Sequence, residues 1–133
     1  MDLEETVRDL APRLLRYCRG RLQSPESAED VSQSALMALV ARWRSAGPPD
    51  SPLAFAFSIA RRRAWRAAVH ERLLEPLSSL RFQHEPFADP IRSTEARSEL
   101  RRLRSELQKL SVKEREAFLL VVAGELSIVD AAL

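Results

Sequence analysis

Ser24-Pro-Glu-Ser-Ala-Glu-Asp-Val-Ser-Gln-Ser-Ala-Leu-Met-Ala-Leu39 is the stretch whose reading decides the fold. Serine is a preferred helix N-cap because its hydroxyl accepts from an otherwise orphaned amide. Proline at the first helical position forfeits no hydrogen bond, since that N–H has no partner within the helix. From there Ala28, Val31, Ala35, Ala38 and Leu39 recur at steps of three and four, the period of one helix face. Glu26, Asp30, Gln33 and Met37 fall on the opposite side. The stretch predicts a helix with a small, apolar inner face and a polar outer face.

The same period extends in both directions. Leu3, Val7, Leu10, Leu14, Cys18 and Leu22 mark an earlier amphipathic helix, in which Pro12 is expected to introduce a kink or a restart. Arg44-Ser-Ala-Gly-Pro-Pro-Asp-Ser-Pro52 reads as a loop, with three prolines and one glycine in nine residues. A third helix follows, with Leu53, Phe57, Ala60, Ala64 and Ala67/Ala68 inward and Arg62 and Arg66 outward. Phe55, Ile59 and Trp65 lie off that inner stripe, so its first half is expected to be covered on two sides. Residues 73–93 lose the period and hold Pro76, Pro86 and Pro90, the composition of a linker. Leu100, Leu103, Leu107 and Leu110 mark a fourth helix. Ser111-Val-Lys-Glu114 is a capping box that opens a fifth, through Phe118, Leu120 and Val122 to a glycine stop at Gly124. Ser127 and Asp130 signal a sixth helix start followed only by Ala131, Ala132 and Leu133, too few residues to sustain a helix alone. The predicted fold class is all-α.

Composition agrees. Only three glycines occur among 133 residues, and 45% are hydrophobic, enough for one helical core or two small ones. The net charge is +2, but five arginines (Arg61, Arg62, Arg63, Arg66, Arg72) face one acid, Glu71, within residues 61–72. That is a local basic patch suited to a polyanion. Cys18 is the single cysteine, so no internal disulfide forms, and its place on the apolar stripe predicts a buried thiol. His70 and His84 have no partners at ligand spacing, so no metal site and no cofactor are expected. The acidic start Met-Asp-Leu-Glu-Glu has no signal-peptide core and no apolar run reaches membrane-spanning length. A cytoplasmic protein without membrane insertion is the expectation.

Ala28-Glu-Asp-Val-Ser-Gln33, the loop ending at Pro52 and Phe57-Ser-Ile-Ala-Arg61 together resemble domain two of the extracytoplasmic-function (ECF) sigma factors of bacterial RNA polymerase. Leu107-Gln-Lys-Leu-Ser-Val-Lys-Glu-Arg-Glu-Ala-Phe-Leu-Leu120, followed by Gly124-Glu-Leu-Ser127, resembles the start of domain four. The resemblance implies a domain two over residues 1–72, a linker over 73–93 and a partial domain four over 94–133. It implies docking of Glu26, Asp30, Gln33 and Met37 on the clamp helices of the polymerase β′ subunit. It also implies that the loop at 45–52 and the next helix read the minus-ten promoter element, with Arg61, Arg62, Arg63 and Arg66 on phosphates. Trp65 either stacks on an exposed base or packs within the protein. An anti-sigma factor is a further partner of such proteins.

Three positions depart from the family pattern. Phe55 stands where tryptophan is usual, Arg62 where asparagine is usual, and Arg66 where an acid is common. These changes make the surface more basic and remove acceptors for base edges. The larger departure is that the helix-turn-helix of domain four is incomplete: the recognition helix for the minus-thirty-five element would lie past Leu133. Val121, Val122, Ile128 and Leu133 are then expected to be poorly covered. Two other readings fit the same residues, a sigma-derived regulator that occupies the clamp helices and competes with other sigma factors, and a helical interaction adaptor. An enzyme is not expected, because there is no glycine-rich phosphate loop, metal set or nucleophile–base arrangement.

Overall fold

The computed structural model describes residues 1–73 and 94–132. Residues 74–93, which hold most of the predicted linker and His84, and Leu133 lie outside the described residues, as do the side chains of residues 94–97, Leu100 and Ala132. The described elements are α1 (Leu3–Arg21), α2 (Pro25–Ala46), α3 (Pro52–Leu73), α4 (Thr94–Gln108), α5 (Val112–Phe118), a π-helical turn (Leu119–Ala123) and α6 (Ile128–Ala132). The described residues contain no strand, as expected of an all-α chain.

Helix α1 starts on a capping box the sequence reading passed over. The Asp2 carboxylate accepts from the Glu5 amide at 2.8 Å, and Glu5 accepts in return from the Asp2 amide at 3.3 Å. The expected restart at Pro12 does not occur, and α1 runs unbroken through it. Pro12 and Arg8 are both solvent-exposed, so the Arg8 carbonyl that loses its helical donor is left to water rather than stranded in the core. Helix α2 opens as predicted, with the Ser24 hydroxyl accepting from the Ser27 amide at 3.2 Å and Pro25 at the first position. Its end differs. The helix absorbs Arg44, Ser45 and Ala46, and the turn begins at Gly47 with φ 81°, a conformation glycine adopts without a Cβ clash.

The three long helices meet through small residues. Ala28 and Ala35 of α2 and Ala56, Ala60 and Ala64 of α3 are fully buried, which lets backbones approach closely. Larger side chains fill the space between: Leu10, Leu14, Tyr17 and Cys18 of α1, Leu39 of α2 and Phe57 of α3. The Tyr17 and Phe57 rings meet edge to face at 5.7 Å between centroids. Phe55 and Ile59 are half-buried against this core, so the first half of α3 is covered on more than one side.

Among the described residues, the predicted leucine stripe of the C-terminal segment does not form a core of its own. Leu103 is 45% exposed, while Leu107, Leu119, Leu120 and Leu126 join the cluster formed by α1–α3. Leu119 lies over Gly20, where an added Cβ would come within 2.3 Å of its Cδ2. Gly124 does follow the fifth helix, but with φ −83°, so handedness is not what requires glycine there. A Cβ would stand 2.8 Å from the Leu120 carbonyl oxygen and 2.9 Å from Phe57 Cε1, so close approach is the reason. Val121, Val122 and Ile128 are exposed, as expected of that segment.

Candidate functional site

Helix α2 is fixed in place at its start. The Glu71 carboxylate, near the end of α3, accepts from the Ser24 amide at 2.8 Å and from the Gln23 amide at 3.1 Å. A negative charge there also suits the positive end of the α2 dipole. With its inner face buried, α2 presents Glu26, Asp30, Gln33 and Met37 to solvent, and Met37 is 70% exposed. The four span twelve residues, about 16 Å of helix from first to last at 1.5 Å per residue. Among the described residues, none engages the side chain of Glu26, Asp30 or Gln33 in a hydrogen bond or ion pair. The sequence reading placed these four on one open face, and the structure does the same.

Helix α3 carries the basic face. Arg61, Arg62, Arg63, Trp65 and Arg66 are all exposed. Trp65 is 59% exposed, so more than half of its surface is open to solvent. Arg62, Arg63 and Arg66 have no side-chain partner among the described residues. Arg61 is different. Its Nε donates to Glu116 Oε1 at 2.9 Å. An open cleft of about 940 Å³ lies between the two helices, with Arg61, Arg62, Trp65 and Arg66 of α3 on one side and Val112, Lys113, Glu116 and Ala117 of α5 on the other.

Glu116 is the residue that sequence reasoning missed. Its carboxylate also accepts a short hydrogen bond from the Tyr17 hydroxyl, and Arg21 Nε lies 2.9 Å from its second oxygen. The Arg21 contact is an ion pair by distance, but its N–H is not aimed to make a hydrogen bond. Glu116 and Arg21 are 14% and 6% exposed as side chains, so the pair is largely desolvated. Burial, followed by the neighbouring Glu116 charge, holds the Tyr17 phenol well above its ordinary range. The same two causes push the Cys18 thiol up to about 12, so it is an inert buried thiol, as its stripe position implied. A tyrosine on a buried stripe needs a partner for its hydroxyl, and that was the available signal. Which residue would answer it was not legible from the run Lys-Glu-Arg-Glu.

The 123–125 turn is clamped by α1. Arg13 Nε donates to the Gly124 carbonyl at 2.9 Å, and Arg16 Nε donates to the Ala123 carbonyl at 3.0 Å. Arg16 also pairs with Glu125 at 2.7 Å. Cations at the end of a helix satisfy its orphan carbonyls and its negative dipole end. Among the described residues there is no cluster of His, Cys, Asp and Glu that could hold a metal ion, and no helix is long and apolar enough to cross a membrane.

Residues 6–72, the span of α1–α3 and of both polar faces, match the family of sigma-70 region 2. The chain belongs to that family. Over 140 aligned positions it is also 31% identical to the ECF RNA polymerase sigma factor SigD of Mycobacterium tuberculosis (strain ATCC 25618 / H37Rv) and of Mycobacterium bovis, covering 98% of this chain and 65% of each relative. The chain thus spans about two thirds of the length of these curated sigma factors. The sigma family identified from Ala28–Gln33 and Phe57–Arg61 is therefore the family found. No solved structure matches the chain.

Proposed function

We propose that this chain is a transcription initiation factor of the ECF sigma type, acting in the cytoplasm on core RNA polymerase and promoter DNA. The observation that carries the reading is a pair of exposed polar faces on adjoining helices, both inside the family-matched segment. On α2, Glu26, Asp30, Gln33 and Met37 are assigned to the polymerase β′ clamp helices. A carboxylate and an amide about one turn apart can meet arginines of a partner helix, and an exposed methionine adds adaptable contact area. On α3, Arg62, Arg63 and Arg66, with Arg61 once released, are assigned to phosphates of the minus-ten strand, and Trp65 to an exposed base. The chemistry of RNA synthesis belongs to the polymerase.

The test is binding to purified core RNA polymerase by the full chain and by an Asp30→Ala/Gln33→Ala double variant. Loss of two charge-assisted or amide contacts at a docked helix predicts roughly tenfold or greater weakening. Both substitutions lie on an exposed face, so the circular-dichroism melt is expected to stay unchanged. Binding that ignores both substitutions, or no binding by the parent chain, would sink the docking assignment. Salt-sensitive binding of a single-stranded oligonucleotide, lost in Arg62→Ala/Arg66→Ala, is the matching check on α3.

A further inference from the structure

Arg61 belongs to the basic face of α3, yet its guanidinium is already occupied by a carboxylate from α5. Glu116 therefore stands where a nucleic-acid phosphate would, an anion within 2.9 Å of Arg61 Nε. The helix that delivers it overhangs the cleft that Arg62, Trp65 and Arg66 line. We propose that α5 and the turn after it form an intramolecular latch on the α3 basic face, with Glu116 as a phosphate surrogate that must leave Arg61 before a strand can follow the whole face. The proposal rests on the assignment of α3 to DNA and concerns the control of that same site.

Several features suit α5 to release. Its seven residues run straight on into the π-helical turn, a helical stretch of twelve residues in which only Leu119 and Leu120 are buried. A helix that short is not stable by itself, so docking is what keeps it formed. Its anchors are Leu119 over Gly20, Phe118, Leu120 and Leu126 on the core, the carbonyls held by Arg13 and Arg16, the Arg115 hydrogen bond to the Leu107 carbonyl, and Glu116 itself. Of the three groups facing Glu116, Tyr17 and Arg61 make hydrogen bonds, while Arg21 is close but misaligned. A desolvated ion pair with one unmade hydrogen bond returns less than its distance suggests. Charge also favours exchange. A strand entering the cleft would bring phosphates to Arg61, Arg62 and Arg66 together, whereas Glu116 offers a single carboxylate. Opening would therefore be drawn forward by occupancy of the face, and in the closed state the face would bind one phosphate fewer.

The experiment reads binding of a fluorescent single-stranded DNA oligonucleotide across a salt series, using the full chain. Each phosphate neutralised on a single strand contributes about 0.7 to the slope of log affinity against log salt. Glu116→Gln is expected to tighten binding several-fold and steepen the slope by about 0.7. Adding Arg61→Ala should cancel that gain. In the parent background Arg61→Ala should matter less than Arg62→Ala or Arg66→Ala. Glu114→Gln is the control for charge alone, because it removes the same charge from the same helix and glutamine still completes the capping box. It should leave the slope unchanged. Gly20→Leu, which evicts Leu119 without touching any charge, should reproduce the gain.

Hydrogen exchange over residues 112–126 checks that Glu116→Gln and Gly20→Leu open this segment while α1–α3 stay protected. If the parent chain binds DNA, Arg62→Ala/Arg66→Ala abolishes it, and Glu116→Gln and Glu114→Gln behave alike, the latch is overturned and the DNA assignment stands. If no variant binds DNA although exchange shows the segment open, both are overturned.

Discussion

The α1–α3 bundle and the 112–126 segment are both helical, and they are held by different means. In the bundle, helices of 19 to 22 residues bury a set of alanines and seat Leu14, Tyr17, Cys18 and Leu39 with essentially no exposure. In the segment, a seven-residue helix has no fully buried residue, and attachment falls to Phe118, three leucines, two arginines on carbonyls and one shared carboxylate. Long amphipathic helices can carry their stability in their own faces, while a single short turn has to borrow it from what it docks on. The two regions should therefore respond differently to the same kind of damage.

The largest difference is expected from paired leucine truncations. Leu14 is fully buried and Leu119 is 3% exposed, so the lost transfer and cavity terms are of similar kind. Leu14→Ala should cost about 3 kcal/mol of global stability in urea, within the range for buried leucines. Leu119→Ala should instead show mainly as faster hydrogen exchange over residues 112–126, with a much smaller change in the global midpoint. Equal global losses would mean that the segment and the bundle unfold as one unit.

Alkaline pH offers a smaller effect that joins the two regions. Cys18 sits in α1, yet part of what raises its pKa from 9.0 to about 12 is the Glu116 charge on α5, after burial itself. A group whose folded pKa is raised contributes fully below its unfolded value and loses that contribution as pH rises toward the folded one. Stability should thus hold to about pH 9 and then decline toward pH 12. At pH 10.5 the Cys18 term alone amounts to about 2 kcal/mol, at 1.36 kcal/mol per unit of pKa shift. Tyr17 shifts in the same direction and adds to the loss as pH passes 10. In Glu116→Gln the decline should be shallower, because the Glu116 charge is gone and opening of residues 112–126 only reduces the burial that raises the shift. An identical decline in both chains would mean that burial alone sets the shift.

Legibility followed the same division. Periodicity placed the apolar stripes of α1–α3 correctly, because residues three and four apart share a face whatever surrounds them. The open stripe of Glu26, Asp30, Gln33 and Met37 and the outward arginines came from the same phase argument. Three things were out of its reach. Pro12 looked like a break, and only its exposed position explains why α1 continues. Leu119 and Leu126 carry no periodic mark that would send them to Gly20 and the bundle core. Glu116 lies in a charged run that reads as solvated, and its role depends on residues 55 to 99 positions away. Local pattern reports which side of a helix is inside, but it does not report what a short distant helix will meet.

The smallest of these effects compares one chemistry in two places. Ser24 caps α2 and Ser111 caps α5, each hydroxyl accepting from an amide three residues on at 3.2 Å. Alanine at either position leaves an orphaned amide, and such caps are typically worth about 1 kcal/mol. At Ser24 the loss falls on a helix packed against both α1 and α3, so it should appear in the global unfolding midpoint. The Glu71 carboxylate still holds the Ser24 and Gln23 amides and should keep the cost near that figure rather than above it. At Ser111 the same loss falls on a helix with no fully buried residue, so it should leave the midpoint in place and raise exchange in α5 alone. If Ser111→Ala lowered the global midpoint as much as Ser24→Ala, α5 would be part of the cooperative core, and Glu116 could not leave Arg61 without unfolding the bundle.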